Sequence, residues 1–265
     1  MKQLNTKEQQ SLILGIAKAF SRVCEKNDIP YYMLGGTMLG AIRHQGFIPW
    51  DDDMDFGVPR QFYEKLKVVL EDQLPDRYKC RTFFNSKNVV YGYIKIEDTF
   101  TKCNNAQFKK LGDDRLGLDL DIFPLDSCNC GDKKIKKIIW LNDKYGRIFT
   151  ASATRNLWKN ILKKLIRLVF PFTQKFCYNY IEKQIGSINP GEFLANIYGH
   201  WEDKEIVPKA WYGENIKYKF EDTEFCGFLE YDLYLRQLYG DYMKLPPVEL
   251  QKGHSNAGVF LIRDK

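Results

Sequence analysis

With 265 residues, 44% hydrophobic and 28% charged, the chain has the composition of an ordinary soluble globular protein, long enough for one large domain or two small ones. A net charge of +6 is too modest to predict a nucleic-acid partner. Seven scattered cysteines with no Cys-x-x-Cys, beside only three histidines, argue against a zinc site and for a reducing cytoplasm. The N-terminus shows no apolar leader and no apolar run reaches transmembrane length, so neither secretion nor membrane spanning is expected.

Residues 6 to 26 predict an amphipathic helix, with Leu12, Ile16, Phe20 and Val23 at helical spacing, Thr6-Lys7-Glu8-Gln9 as a capping box, and Asn27-Asp28-Ile29-Pro30 as its end. An apolar run from Tyr31 to Leu34 predicts a short buried strand. Gly35-Gly36-Thr37 follows, then Met38, Leu39, Ala41 and Ile42 with the spacing of a short helix packed on a core. Glycines at such a junction let backbone N–H groups approach a phosphate, and the helix dipole favours the anion. After a turn at Gln45-Gly46, a second strand is expected from near Phe47 into Asp51-Asp52-Asp53-Met54-Asp55-Phe56-Gly57. Alternation puts Asp53 and Asp55 on one face, where two carboxylates repel unless a cation lies between them. Hard oxygen ligands of this kind suit Mg2+ or Mn2+. A solvated acidic turn is the competing reading. The apolar frame of Phe47, Ile48, Trp50, Met54, Phe56 and Val58, with the glycine pair one helix upstream, favours the metal-and-phosphate reading.

Pro59-Arg60 leads into a helix through Phe62, Leu66, Val69 and Leu70, and strand-like runs follow at Tyr78 to Phe84 and Val89 to Glu97. Tyr93, Lys95 and Glu97 share one face of the latter, where a lysine on an edge strand normally faces solvent. From Leu116 to Asp126, Leu118, Leu120 and Ile122 point one way and Asp119, Asp121 and Phe123 the other. An aspartate inside an apolar strand is costly without a metal or a partner, and either Asp119 or Asp121 fits that description. Asp126 is read as a cap of the following turn. Residues 133 to 183 carry 13 Lys or Arg against 2 Asp or Glu, a balance of +11. Within them, Leu157, Trp158, Ile161, Leu162, Leu165 and Ile166 form one helical stripe and Lys159, Lys163 and Arg167 another. Such a helix either packs its apolar face on the core or lies on an anionic membrane. The last third is rich in aromatics, among them Trp201, Tyr234, Tyr239 and Tyr242, with Leu229, Leu233 and Leu238 spaced for helix packing. His254 is read as a surface residue or a catalytic one.

Strand, Gly-Gly-Thr, helix, then Asp-x-Asp on the next strand resembles the nucleotidyltransferase superfamily. The longer strings LGAIRHQGFIPWDDDMDFGV (39–58), DIFPLD (121–126) and FEDTEFCGFLEYDLYLRQLYGDYMKLPP (220–247) resemble the LicD-type phosphocholine transferases, to which fukutin-like enzymes are related. The resemblance implies an α/β (α+β) fold: a small mixed sheet of nucleotidyltransferase type with flanking helices over 1–132, and a helical, aromatic-rich elaboration over 133–265 that completes the site. It implies transfer of phosphocholine, or a similar phospho-alcohol, from CDP-choline or a related CDP-alcohol to a sugar hydroxyl, with release of CMP. The acceptor would be a cell-surface glycan or its lipid-linked precursor, met by a cytoplasmic enzyme at the inner face of the membrane. Asp53, Asp55 and Asp121 would hold Mg2+ (or Mn2+), with Asp119 the local competitor for the third place. Gly35, Gly36 and Thr37 would contact phosphate, and Arg43, His44 and Lys95 would neutralise its charge. Asp121 is the first choice for the group that takes the acceptor's proton. Two other readings remain at this stage: a nucleotidyltransferase that releases pyrophosphate from a nucleoside triphosphate, and a non-catalytic membrane-associated scaffold.

Overall fold

The computed structural model describes residues 2–86, 92–104, 117–149, 173–253 and 258–262, together with helical positions 158, 161, 162 and 165. The chain opens with a short strand, β1 (Lys2–Gln3), and then the expected helix, α1 (Thr6–Lys26). Its cap lies one residue earlier than the sequence suggests. The Asn5 side chain accepts from the Glu8 N–H at 3.0 Å, while the Glu8 carboxylate accepts from the Asn5 N–H at 2.9 Å, so Thr6 is the first helical residue rather than the cap. The helix buries Ile13, Ile16, Phe20, Val23 and Cys24.

β2 (Tyr32–Met33), α2 (Gly35–His44), β3 (Asp55–Pro59) and α3 (Arg60–Gln73) follow, then β4 (Tyr78–Arg81), β5 (Ile94–Asp98), β6 (Thr101–Asn104) and the long β7 (Asp119–Cys128). The second strand is much shorter than expected. Residues 47–54 are not strand, because side chains from elsewhere take up their backbone: Glu221 accepts from the Phe47 N–H, and Gln10 Nε2 donates to the carbonyls of Ile48 and Asp51. Pro49, having no N–H, weakens any ladder there further. Asp53 therefore precedes the strand that carries Asp55.

The main sheet runs β2-β3-β7-β5-β4, and every pairing is antiparallel except β3 with β7. After α4 (Lys133–Phe149) and α5 (Thr173–Ile185), the chain returns to this sheet: β8 (Phe193–Ala195) pairs with the end of β7, and β9 (Ile206–Pro208) pairs with β8. A hairpin, β10 (Lys217–Phe220) and β11 (Thr223–Cys226), precedes α6 (Tyr231–Tyr239). β12 (Gly258–Leu261) lies between β1 and β6 in a separate three-stranded sheet. The fold is thus mixed α+β. α1 packs on the main sheet over β5 and β7 and α3 over β3, β4 and β7, and rings from four separate segments, Phe20, Tyr31, Phe56 and Phe225, meet edge-on or tilted beside β2 and β3.

Three further expectations change. β5 lies inside the sheet rather than at an edge, and the Lys95 side chain keeps only 20% of its surface exposed. Asp126 is no turn cap: it sits within β7, 4% exposed, and meets the guanidinium of Arg60 through two parallel bonds of 2.8 and 2.9 Å. In the α6 region, Tyr234, Leu235 and Leu238 face the core, whereas Leu229 and Leu233 are exposed, because α6 begins only at Tyr231 and the buried face follows from that start.

Candidate active site

The parallel pairing of β3 with β7 puts Asp55 directly beside Asp121. The backbone fixes this closely. Asp121 N–H donates to the Met54 carbonyl at 3.2 Å, Asp55 N–H donates to the Thr37 hydroxyl at 2.8 Å, and the Asp55 carbonyl accepts from Leu34 N–H at 2.9 Å. Burial, together with the charges of Asp53, Asp121 and Glu205, holds the Asp55 carboxyl well above the usual carboxylate range. Burial likewise pushes Asp121 up to about 7, although Lys95 pulls the other way. Lys95 on β5 is the register partner of Asp121, and its ammonium bonds Asp121 Oδ1 and, at 3.1 Å, Asp119 Oδ1. Burial works against that charge, yet Asp119 and Asp121 outweigh it and keep the ammonium well above its ordinary range. Of the two readings of Lys95, the solvent-facing one does not survive.

The glycine pair stands at the same place. Gly35 has φ +47°, which favours glycine, and a Cβ there would lie 3.5 Å from the Tyr239 hydroxyl and 4.0 Å from Asp55 Oδ2. A Cβ on Gly36 would come within 3.0 Å of Asp51 Oδ2. The Gly35 N–H is already spent on the Tyr234 hydroxyl at 2.9 Å, whereas the Thr37 hydroxyl accepts from the Asp55 N–H and keeps its own O–H as a donor. The N–H groups of Gly36 and Thr37, in the first turn of α2, have no intrahelical partner and are the ones suited to an anion. Arg43 and His44 lie in the last turn of α2, although the Arg43 guanidinium is near enough to Tyr239 to be influenced by it. They sit roughly 12 Å along α2 from Gly36, where Arg43 donates to His44 Nε2 at 2.9 Å and to the Tyr242 carbonyl at 2.8 Å. Burial lowers both groups, and the Arg43 charge lowers His44 further. His254 lies outside the described residues.

Glu205 is the residue that sequence reasoning missed. It is 6% exposed, accepts from Asn196 Nδ2 at 2.6 Å and from Trp201 N–H at 2.9 Å, and is pushed up to about 7 by burial. Its charge reaches both Asp55 and Tyr239. In the string Glu202-Asp203-Lys204-Glu205 nothing distinguishes it from a solvated charge; only the pairing of β8 with β9 turns it inward.

The donor set suits a hard divalent cation. Asp53, Asp55 and Asp121 gather negative charge at half-buried positions near the Lys95 ammonium, and their oxygens are the ligand type that Mg2+ takes. Among the described residues no group of three carboxylate, imidazole or thiol side chains stands so as to hold a metal ion by itself. Substrate phosphate oxygens and water would have to fill the remaining positions, as is usual for Mg2+.

Residues 28–165 match the family model described as LicD/FKTN/FKRP, nucleotidyltransferase domain. The chain is also 35% identical over 281 aligned residues to the lipopolysaccharide cholinephosphotransferase LicD of Haemophilus influenzae, a match covering 99% of this chain and 100% of that one. The chain belongs to the LicD family. It is accordingly a transferase. An uncharacterised protein of Rickettsia prowazekii shares 49% identity with it over 45 residues, 17% of each chain. A solution structure of the antibiotic-resistance factor ANT(2'')-Ia aligns with 67% of this chain and 95% of its own at 13% identity, with a TM-score of 0.29. The LicD-family match contains Gly35 to Thr37, Asp53, Asp55, Lys95 and Asp121, whereas Glu205, Trp201 and Tyr239 lie beyond it, within the full-length alignment to the Haemophilus LicD.

Proposed function

We propose that the protein transfers phosphocholine from CDP-choline to a sugar hydroxyl of a cell-surface glycan or its lipid-linked precursor, releasing CMP. The observation that carries this is the full-length likeness to the Haemophilus lipopolysaccharide cholinephosphotransferase. The paired Asp55 and Asp121 give it a chemical basis. Asp53, Asp55 and Asp121 would hold Mg2+ (or Mn2+), which when bound supplies positive charge against the donor diphosphate and the departing CMP. The first-turn N–H groups of Gly36 and Thr37 bind a phosphate oxygen of the donor. Asp121, bonded to the Lys95 ammonium, would also take the proton of the attacking hydroxyl. The test is CMP release from CDP-choline, CDP-glycerol and CDP-ribitol with a glycan acceptor, in Mg2+ and in chelator. CMP from CDP-choline that chelator abolishes is the expected result. Release of pyrophosphate from a nucleoside triphosphate would point instead to nucleotidyl transfer, and CMP from CDP-ribitol or CDP-glycerol alone would change the transferred group.

No helix among the described residues is long and apolar enough to cross a membrane. The basic region does present an exposed stripe along α4, in which Lys133, Lys137 and Lys144 flank Trp140, and the neighbouring α5 exposes Phe176. Trp140 is 56% exposed and Phe176 70%. Lysines around exposed rings suit an anionic lipid surface, at about 1 kcal/mol per charge before screening. Peripheral, salt-reversible attachment would bring the enzyme to a lipid-linked acceptor. The helical stripe foreseen on Lys159, Lys163 and Arg167 lies outside the described residues, although Trp158, Leu162 and Leu165 beside it are exposed. Changing Lys133, Lys137 and Lys144 together to Glu should abolish co-sedimentation with phosphatidylglycerol vesicles and leave turnover of a soluble acceptor unchanged. Equal sedimentation of variant and wild type would make the stripe an ordinary solvated surface.

A further inference from the structure

Most rings of the last third are used up in the core: Tyr212, Phe220, Phe225, Phe228 and Tyr234 are all at most 4% exposed. Trp201 and Tyr239 are different. Like Trp211, Tyr218 and Tyr231 they are only partly buried, but their rings meet each other, at a centroid distance of 4.9 Å in a T-shaped contact, beside the start of α2. The Tyr239 hydroxyl stands against Gly35, at the start of the helix proposed to bind the donor phosphate, and close enough to Asp55 to feel its charge. Behind the pair lies Glu205, buried and bonded to the backbone of Trp201, with no lysine or arginine paired to it among the described residues.

The pair is also rigidly mounted. Gln237 Nε2, from the same helix as Tyr239, donates to the carbonyls of Lys204 at 2.6 Å and Ile206 at 3.2 Å, which ties α6 to the segment that follows Trp201. The Lys204 ammonium bonds the Leu238 carbonyl at 3.3 Å and lies 5.6 Å from the centre of the Trp201 ring, so this indole already presents a face to one cation.

We infer that Trp201 and Tyr239, backed by the buried carboxylate of Glu205, form the seat of the donor's quaternary ammonium group. The assignment rests on the phosphocholine reading above. A trimethylated nitrogen offers no N–H to a hydrogen-bond acceptor, so it must be recognised by ring faces, by shape and by a nearby negative charge. Only a short ethylene link separates that nitrogen from its phosphate ester, so its seat has to adjoin the phosphate site. Tyr239 adjoins it through Gly35. Glu205 supplies the charge without competing for the phosphate, because Asn196 and the Trp201 N–H hold it back from the first turn of α2. CDP-glycerol and CDP-ribitol bring hydroxyls to the same place and gain nothing from the rings.

Equilibrium binding of CDP-choline, CDP-glycerol and CDP to the full-length protein, without acceptor, tests the seat. Wild type should prefer CDP-choline to CDP-glycerol. Trp201→Leu, Tyr239→Leu and Glu205→Gln should each reduce that preference by about ten-fold while CDP binding stays within about two-fold, whereas Tyr239→Phe, which keeps the ring, should retain it. Should a Leu variant fail to fold, Trp201→Phe, with a weaker ring, and Glu205→Gln decide the matter. Variants that keep the full preference for CDP-choline would overturn the seat and leave phosphocholine transfer standing. A wild type that shows no preference would overturn the phosphocholine reading, and the seat with it.

Discussion

Asp55→Asn and Asp121→Asn should each lower CMP release by at least about a thousand-fold, since each removes charge on which the diphosphate chemistry depends. The same changes should stabilise the Mg2+-free protein at pH 8. Both carboxyls titrate well above their ordinary value of 3.8 in the folded protein, Asp121 at about 7. Between about pH 4 and 7 the folded state therefore binds more protons than the unfolded chain. Stability falls as pH rises through that window, by at most about 1.4 kcal/mol per pH unit for each carboxyl. Asparagine carries no such penalty. Thermal melts at pH 5 and pH 8 without Mg2+ should show wild type losing more on alkalinisation than either variant. In Asp121→Asn the Lys95 ammonium retains Asp119, so its pairing is not abolished. Asp119→Asn should keep most of its turnover, because Asp119 has no register contact with β3. A variant at Asp55 or Asp121 with normal turnover, or one that melts below wild type at pH 8, would remove these two residues from the proposed centre.

Much of this site could be read from the chain because local rules and tertiary structure agree there. Gly35-Gly36-Thr37 between an apolar run and a helical apolar stripe can hardly be anything but a strand-to-helix turn, and α2 begins at Gly35. Asp121 within an apolar strand had to have a partner or a cation, and it has Asp55 on one side and Lys95 on the other. What escaped was decided at a distance. The 47–54 segment has the residues of a strand, but Glu221 and Gln10 claim its backbone from 174 and 38 or more residues away. Arg43 and His44 belong to the motif string, yet helical geometry sends them to the far end of α2. Glu205 sits in a charged tetrapeptide with no periodic signal, and only the strand pairing around it makes it a buried acid whose charge reaches Asp55. Lys95 is open in the sequence for the same reason: alternation assigns it a face, and only the pairing of β5 with β7 brings Asp119 and Asp121 to it.

Replacing Lys95 with methionine should be the most damaging change to the fold. It would leave Asp121 beside Asp55 and Asp119 without its cation. Breaking a buried pair in this way costs about 3–5 kcal/mol, and the lower end applies here because each side chain keeps 20% of its surface exposed. The pH window follows from both partners. The Lys95 ammonium is held above its ordinary 10.5, so its contribution is fully present at pH 8 and lost only at strongly alkaline pH. The Asp121 carboxyl would titrate still higher once its ammonium is gone, so at pH 5 it is neutral and the loss is smaller. Lys95→Met should thus melt far below wild type at pH 8 and recover much of the difference at pH 5. Mg2+ offers a second route to recovery. An ion bound only by the folded state stabilises it by RT ln(1 + [L]/Kd), and a site freed of its competing ammonium should bind more tightly. Millimolar Mg2+ at pH 8 should therefore raise the melting temperature of Lys95→Met more than that of wild type, and adding Asp55→Asn to the same chain should cancel that gain. A Lys95→Met protein that melts like wild type at pH 8 would mean that the ammonium is solvated and the carboxylates beside it need no cation. Rescue by acid without rescue by Mg2+ would mean that the acids are a strained structural cluster and hold no metal.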